Sequence, residues 1–282
     1  MNVLSLFDGM SCAQIALNRA NIKYDKYYAS EIKKHAIKLT QYHYPNTIQL
    51  GDVRGVRGED LPKIDILLGG SPCQHFSFLN SYREEGKYGL DGDKSKLFHE
   101  FDRLRKECNP KYFLLENVRM RKDNEELLNQ YLGVKAIHIN SNLVSAQNRH
   151  RLYWTNIPNI EAIIDNNINL KDILEANYNN LRDCKVNKTP SRDKMWLDGK
   201  CKNITNSLKS SCLTTKMDRW NNAGLIEFED YCRFLTPIEC ERLQTVDDNW
   251  TSILSKSQRY DVLGDGWTID VIVHILKHAK FE

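Results

Sequence analysis

Short apolar segments recur along the first 156 residues, separated by stretches whose apolar positions repeat at helical spacing. Residues 2–7 read as an apolar strand that runs into Asp8-Gly9. In residues 12–20, Ala13, Ala16, Leu17 and Ala20 keep the three- and four-residue spacing of an amphipathic helix. A second strand is predicted over 26–30, closed by Glu31, and a second helix over 35–44. Residues 64–69 are almost wholly apolar, as in a strand covered on both faces. A helix over 94–107, a buried strand over 112–116, a helix over 124–131 and strands over 135–140 and 151–155 complete the series. Strand and helix alternate, so the expected fold class is α/β: a mostly parallel, doubly wound sheet with helices on both faces.

The periodicity stops near residue 156. Residues 159–182 are rich in Asn, with a short helix expected around 170–175. Residues 185–219 carry nine basic side chains against three acids, with no clear period. A solvated loop and a DNA-facing insert both account for that charge. Thr236-Pro237-Ile238-Glu239 then reads as a helix start, with Thr as N-cap, Pro at the first helical position and Glu as the reciprocal cap. A last apolar helix is expected over 267–281. The predicted organisation is a main domain, 1–156 plus 234–282, interrupted by a small irregular region, 157–233.

Composition narrows the function classes. The chain has 282 residues, 41% hydrophobic and 27% charged, with a formal net charge of +3, so the positive charge is a local feature of 185–219. No apolar run approaches the roughly 20 residues of a membrane span, and Met1-Asn2 leads into a strand without a basic leader. No membrane association and a cytoplasmic location are expected. The eight cysteines include no C-x-x-C pair, which suits reduced thiols and argues against a metal.

Candidate chemistry gathers at the predicted strand ends, where open α/β sheets bind ligands. Gly69-Gly70-Ser71-Pro72-Cys73-Gln74 follows the apolar strand, and Cys73 there is either a nucleophile or an inert buried thiol. Glu116-Asn117-Val118 ends another strand, its carboxylate a cap, a solvated group or a proton donor to a substrate ring. In Gln147-Asn148-Arg149-His150-Arg151 the two arginines alternate and share one face of an extended chain, fitting an anionic substrate or a surface ion-pair network. Phe7-Asp8-Gly9-Met10-Ser11-Cys12 is a strand–turn–helix start without G-x-G-x-x-G, which disfavours a dinucleotide. Glu31 is placed to take ribose hydroxyls, and Asp52 follows the next short extended stretch.

In this order the motifs resemble those of the C5-cytosine DNA methyltransferases over nearly the whole chain: Phe7-Asp8-Gly9, Glu31, Gly51-Asp52-Val53, Pro72-Cys73-Gln74, Glu116-Asn117-Val118, Gln-x-Arg-x-Arg, and Arg233-Phe-Leu-Thr-Pro-x-Glu. Leu-Ser-Leu-Phe-Asp-Gly, Gly-Gly-Ser-Pro-Cys and Leu263-Gly264-Asp265-Gly266-Trp267 are most similar to the animal de novo (DNMT3-type) branch. Ser11, Cys12 and Asp265 depart from the pattern of most bacterial members at places where that branch departs as well.

The resemblance implies a stand-alone S-adenosylmethionine-dependent methyltransferase of Rossmann-like fold, with 157–233 as its target-recognition insert and duplex DNA as substrate. Cys73 would add to cytosine C6, Glu116 would hold the ring N3 and amine, Arg151 the O2, and Arg149 the loop or a phosphate. S-adenosylmethionine, yielding S-adenosylhomocysteine, would lie against Phe7, Asp8, Gly9, Ser11, Cys12, Glu31, Ile32, Asp52, Val53, Pro72, Asp265, Gly266 and Trp267. Phe7 and Trp267 would sandwich its adenosyl part, Glu31 the ribose and Asp52 the adenine amine. DNA contacts would come from Ser77, Leu79, Asn80, Thr214, Thr215, Lys216, Arg219 and Arg233. Residues 75–92 suit a lid over the base or a packed hairpin. Leu79 would fill the space left by a flipped cytosine, and Lys216 would contact the neighbouring guanine or a phosphate. A tRNA cytosine methyltransferase and an inactive DNA-binding homologue are the alternatives.

Overall fold

The computed structural model describes residues 1–71, 96–176, 181–187, 189–219, 224–228 and 231–281. The expectations for Pro72, Cys73, Ser77, Leu79, Asn80 and the 75–92 lid lie outside these residues. The chain forms two compact units, Met1–Ile139 with His150–Glu161 and Ile272–Glu282, and Asn140–Arg149 with Ala162–Val271.

The first unit is built on the six predicted strands and a short further one, β3: β1 Asn2–Leu6, β2 Lys26–Ser30, β3 Ile48–Gln49, β4 Ile66–Gly70, β5 Tyr112–Val118, β6 Ile137–Asn140 and β7 His150–Thr155. They lie in the order β3-β2-β1-β4-β5-β7-β6. β1 pairs in parallel with β2 and β4, and β4 with β5, whereas β7 runs antiparallel to β5. The helices are α1 Cys12–Arg19, α2 Lys34–His43, α3 Lys96–Cys108 and α4 Lys122–Leu132. Strand order reverses between β1 and β4, so the crevice of this doubly wound sheet opens at their carboxyl ends.

One apolar cluster joins Leu4, Leu6, Leu67 and Leu115 to Phe98, Phe101 and Leu104 of α3 and Leu128 and Leu132 of α4. The three- and four-residue spacing of the helical members and the two-residue spacing of Leu4 and Leu6 fix which face each element buries. Gly69 belongs to this packing: a Cβ there would sit 2.9 Å from the Phe101 ring and 3.3 Å from the Leu6 carbonyl. The glycine makes room for α3 against the end of β4.

The second unit has little regular ladder. Its sheet, β8-β10-β9, comprises β8 Lys185–Val186, β9 Ile226–Glu227 and β10 Cys232–Arg233. Around it are α5 Leu170–Ile173, α6 Pro190–Leu197, α7 Pro237–Leu243 and α8 Lys256–Asp265, and α9 Ile269–Leu276 follows. Its small apolar cluster is Val186, Cys201, Leu225, Cys232 and Phe234. The capping box predicted at the start of α7 is formed: Thr236 Oγ1 accepts from Glu239 N, and Glu239 accepts from Thr236 N. Residues 140–149 and 234–271 group with this unit, whereas the sequence pattern placed them with the sheet. The reason is polar: Ser145 Oγ and Gln147 Nε2 both donate to the Leu243 carbonyl at 2.6 Å. Among the described residues no helix is long and apolar enough to cross a membrane.

Candidate active site

The turn after β1 is tightly bent. Phe7, Gly9 and Ser11 have φ of 58°, 57° and 61°. Glycine takes that conformation freely, whereas a bulky Phe pays strain for it, a cost that concentrates at functional sites. Glu31 at the end of β2 ties the turn down: Oε2 accepts from Gly9 N at 2.8 Å, and Oε1 accepts from Ile32 N and Lys33 N. Beside it Ile32 leaves 69% of its surface exposed, an unusual position for a large aliphatic side chain.

Asp8 points inward. Tyr27 Oη donates to its Oδ1 at 2.6 Å, while the buried Oδ2 has no hydrogen-bond partner. Burial pushes its pKa from 3.8 up to about 6, against hydrogen bonds from Ser5, Tyr27 and Ser11 that lower it. Asp52 is turned the other way, toward solvent: it accepts from Arg54 N and pairs with the Arg54 guanidinium. Those contacts hold its carboxyl below the usual range. Val53 is in the apolar cluster, and Cys12 is buried. In the second unit Asp265 is exposed and Trp267 is buried.

Register places the second group of candidates. Gly70, the last residue of β4, pairs with Glu116 of β5, and Val118 pairs with Arg151 of β7. Glu116 is therefore a diagonal neighbour of Arg151 on one sheet face. Arg151 Nε lies 3.0 Å from Glu116 Oε1, with side-chain exposures of 12% and 10%. The antiparallel turn of β7 brings two motifs 35 residues apart into an ion pair at the sheet end to which β4 leads. Asn117, next to Glu116, donates to Ser71 Oγ at 3.0 Å, which ties β5 to the residue two before Cys73. His150, beside Arg151, has its pKa lowered by burial and by the charges of Arg119, His138 and Arg151.

Arg149 differs from Arg151. It is 3% exposed and spends its guanidinium on backbone: NH1 donates to Leu213 O, and NH2 to Gly264 O and Gly266 O. Of the two expectations for it, loop support or a phosphate contact, a side chain so enclosed fits loop support and not the phosphate. Arg233 also corrects an expectation. Named as a DNA contact, it is 1% exposed and paired through both terminal nitrogens with Glu239, at 2.7 and 2.8 Å. A guanidinium already desolvated and matched by a carboxylate is not available to a phosphate.

The basic stretch divides in the same way. Lys209 Nζ donates to the carbonyls of Asn142, Ser145 and Ile168 at 2.7, 3.1 and 2.5 Å, and Lys185 lies over the Tyr231 ring. By contrast Lys216 and Arg219 are exposed, on a turn held from beneath by buried Leu213 and Met217, with Thr214 and Thr215 half-buried. Gln244 was not singled out from the sequence and Gln147 only as a motif member, yet both are fully buried and bonded to the backbone. A buried glutamine leaves no trace in hydrophobic periodicity, so only the motif context pointed at Gln147. Among the described residues no three His, Cys, Asp or Glu side chains gather as a metal site.

A family model described as C-5 cytosine-specific DNA methylase matches residues 1–280. A type II methyltransferase of Lactococcus lactis subsp. cremoris, M1.ScrFI, is 28% identical over 312 residues, covering 99% of this chain and 78% of its own. An orphan methyltransferase of Bacillus phage rho11s, M.Rho11sI, is 31% identical over 179 residues, 59% of this chain and 34% of its own. Matches to the first three curated relatives span 34%, 46% and 42% of their lengths. The fold is that of the S. pombe Dnmt2 methyltransferase (TM-score 0.79, 17% identity, 98% and 97% of the two chains covered). It is also that of the Entamoeba histolytica methyltransferase EhMeth (0.75, 16%, 99% and 97%).

Proposed function

The chain belongs to the C-5 cytosine-specific DNA methylase family, and from that premise we propose that it methylates C5 of a cytosine flipped out of duplex DNA. The observation that carries the reading is the enclosed Glu116–Arg151 pair at the sheet end to which β4 leads, the strand that Pro72-Cys73 follows in sequence. Family and fold imply S-adenosylmethionine, which when bound supplies an electrophilic methyl group. The residues present fit it. A carboxylate anchored on three amides, Glu31, stands beside exposed Ile32, matching a ribose diol next to an apolar base. Phe7, Asp8, Gly9, Ser11, Cys12, Asp52, Val53 and Pro72 would complete the site, and the motif resemblance adds Asp265, Gly266 and Trp267 to the cofactor contacts.

Cytosine C5 is a weak nucleophile. Addition of the Cys73 thiolate to C6 makes C5 enamine-like. Glu116 would hold N3 and the exocyclic amine, and Arg151, already fixed on Glu116, would steady O2. After C5 is methylated, loss of the C5 proton and cleavage of the C6–S bond regenerate the thiolate and restore the aromatic ring. The base must leave the stack to reach the thiolate; Leu79, flanked by Ser77 and Asn80, would fill the gap. Thr214, Thr215, Lys216 and Arg219 would face the DNA, with Lys216 reading the base beside the target.

The test offers labelled S-adenosylmethionine with unmethylated duplex DNA and, separately, tRNA. Label recovered as 5-methylcytosine in DNA, reduced below about one per cent by Cys73→Ser because a hydroxyl is a far weaker nucleophile than a thiolate, supports the reading. Label in tRNA alone would transfer the same chemistry to RNA. No label on either substrate would point to a binding homologue.

A further inference from the structure

Deep inside the second unit, two side chains of the Gln-x-Arg-x-Arg motif grip one residue of the segment that precedes Lys216. Gln147 Oε1 accepts from Leu213 N at 3.3 Å, and Arg149 NH1 donates to Leu213 O at 3.2 Å. Both polar backbone atoms of Leu213 are thus held by positions two apart on one extended run. The grip is anchored on its other side. Gln147 Nε2 donates to Leu243 O and Gln244 Oε1, and Arg149 NH2 and Gln244 Nε2 both donate to Gly266 O. Gly264 of α8 closes the arrangement: a Cβ there would lie 2.2 Å from Thr214 C and 2.3 Å from Thr215 N. The helix meets the backbone of the segment itself, a contact that leaves no slack.

We infer that Gln147, Arg149 and Gly264 are positioning residues that fix the register of residues 212–216, and through it the choice of base flanking the target cytosine. The inference rests on the reading of Thr214, Thr215 and Lys216 as the DNA-facing segment. Lys216 is exposed while Leu213, three residues before it, is 2% exposed, so the side chain that reads follows one turn after a residue that is clamped. Specific base contacts tolerate little displacement, since hydrogen-bond strength falls steeply with distance and angle. Phosphate contacts by a long, flexible Lys tolerate more. Loosening the clamp therefore erodes discrimination before it erodes affinity.

The experiment profiles methylation by bisulfite sequencing of a plasmid carrying all flanking contexts, for wild type, Lys216→Ala, Arg149→Lys, Gly264→Ala and Gly264→Ala/Lys216→Ala. Thermal unfolding and kcat and KM are measured on the preferred site. Arg149→Lys keeps the charge but replaces a fork of donors by a single point, and Gly264→Ala pushes on the segment without touching any hydrogen-bonding side chain. Lys216→Ala should lower the preference for the flanking base by about tenfold, the discrimination one good base contact supplies. Arg149→Lys and Gly264→Ala should lower it comparably while DNA KM changes less. The double variant should be no worse than Lys216→Ala alone, because both changes act on one contact. If Lys216→Ala changes the context and the two clamp variants only lose activity uniformly, the positioning role is wrong and the base-reading assignment stands. If Lys216→Ala itself leaves the context unchanged, the base-reading assignment falls and takes the positioning role with it.

Discussion

The two units are held together by opposite means. In the sheet unit the interior is aliphatic and aromatic, and backbone polar groups are satisfied by long ladders of up to five paired residues per strand. In the second unit each sheet strand is two residues long, and the irregular backbone is satisfied by buried or half-buried side chains: Gln147, Arg149, Lys209, Gln244, and the ion pairs Arg233–Glu239 and Arg259–Glu241. Buried amides and carbonyls need partners whatever the fold. A ladder provides them cheaply for a regular element, and a region that must present a particular loop provides them one side chain at a time. The first unit should then respond mainly to lost volume and the second mainly to lost polar partners.

The strongest test of that contrast is Arg233→Ala. It leaves Glu239, 0% exposed, without its countercharge, and removing one partner of a buried pair costs about 3–5 kcal/mol. Chemical denaturation should register that loss, and Arg233→Ala/Glu239→Gln, which removes the stranded charge but keeps an acceptor for Thr236 N, should recover part of it. A loss below that of an ordinary core truncation would break the comparison. The matching truncation is Leu67→Ala in β4, fully buried among apolar neighbours, with an expected loss of about 3 kcal/mol.

Asp8 is the exception inside the apolar unit, and pH exposes it. Its carboxyl titrates near 6 because burial favours the neutral form. For an acid with a raised folded-state pKa, the stabilising contribution is complete below about pH 4 and is lost as pH rises through 6. Asp8→Asn keeps an acceptor for Tyr27 without the charge. It should raise stability at pH 7.5, by an amount on the order of 2–3 kcal/mol for a shift of two pKa units, and have little effect below pH 4. Thermal unfolding at several pH values would show a flat difference between variants if Asp8 does not titrate there.

Arg54→Ala is the smallest test. The Asp52–Arg54 pair is largely exposed, so the melting temperature should not move. If Asp52 leaves Arg54 to take the adenine amine, S-adenosylmethionine should bind about two- to fivefold tighter, the scale of an exposed pair. Calorimetric titration giving unchanged or weaker affinity would remove Asp52 from that role.

The sheet was legible because its signals are local and repetitive. Residues 64–69 are apolar except for Asp65, 2–7 and 112–116 are mostly apolar, and helical spacing marks 12–20, so strand, helix and their alternation follow from which face must be buried. The capping box at Thr236 and Glu239 was legible for the same reason, since all its atoms lie within four residues. The order of motifs at the strand ends identified the candidate site. What those residues touch was a different matter. Arg149, Arg151 and Arg233 are three arginines in recognisable motifs, yet one meets a carboxylate at the sheet end, one grips a backbone carbonyl, and one lies in a buried ion pair. Their partners, Glu116, Leu213 and Glu239, lie 35, 64 and 6 residues away. Local sequence determines how often a side chain returns to a face; only the folded chain decides which distant group waits there, because a guanidinium satisfies a carboxylate, a carbonyl or a phosphate with the same donors.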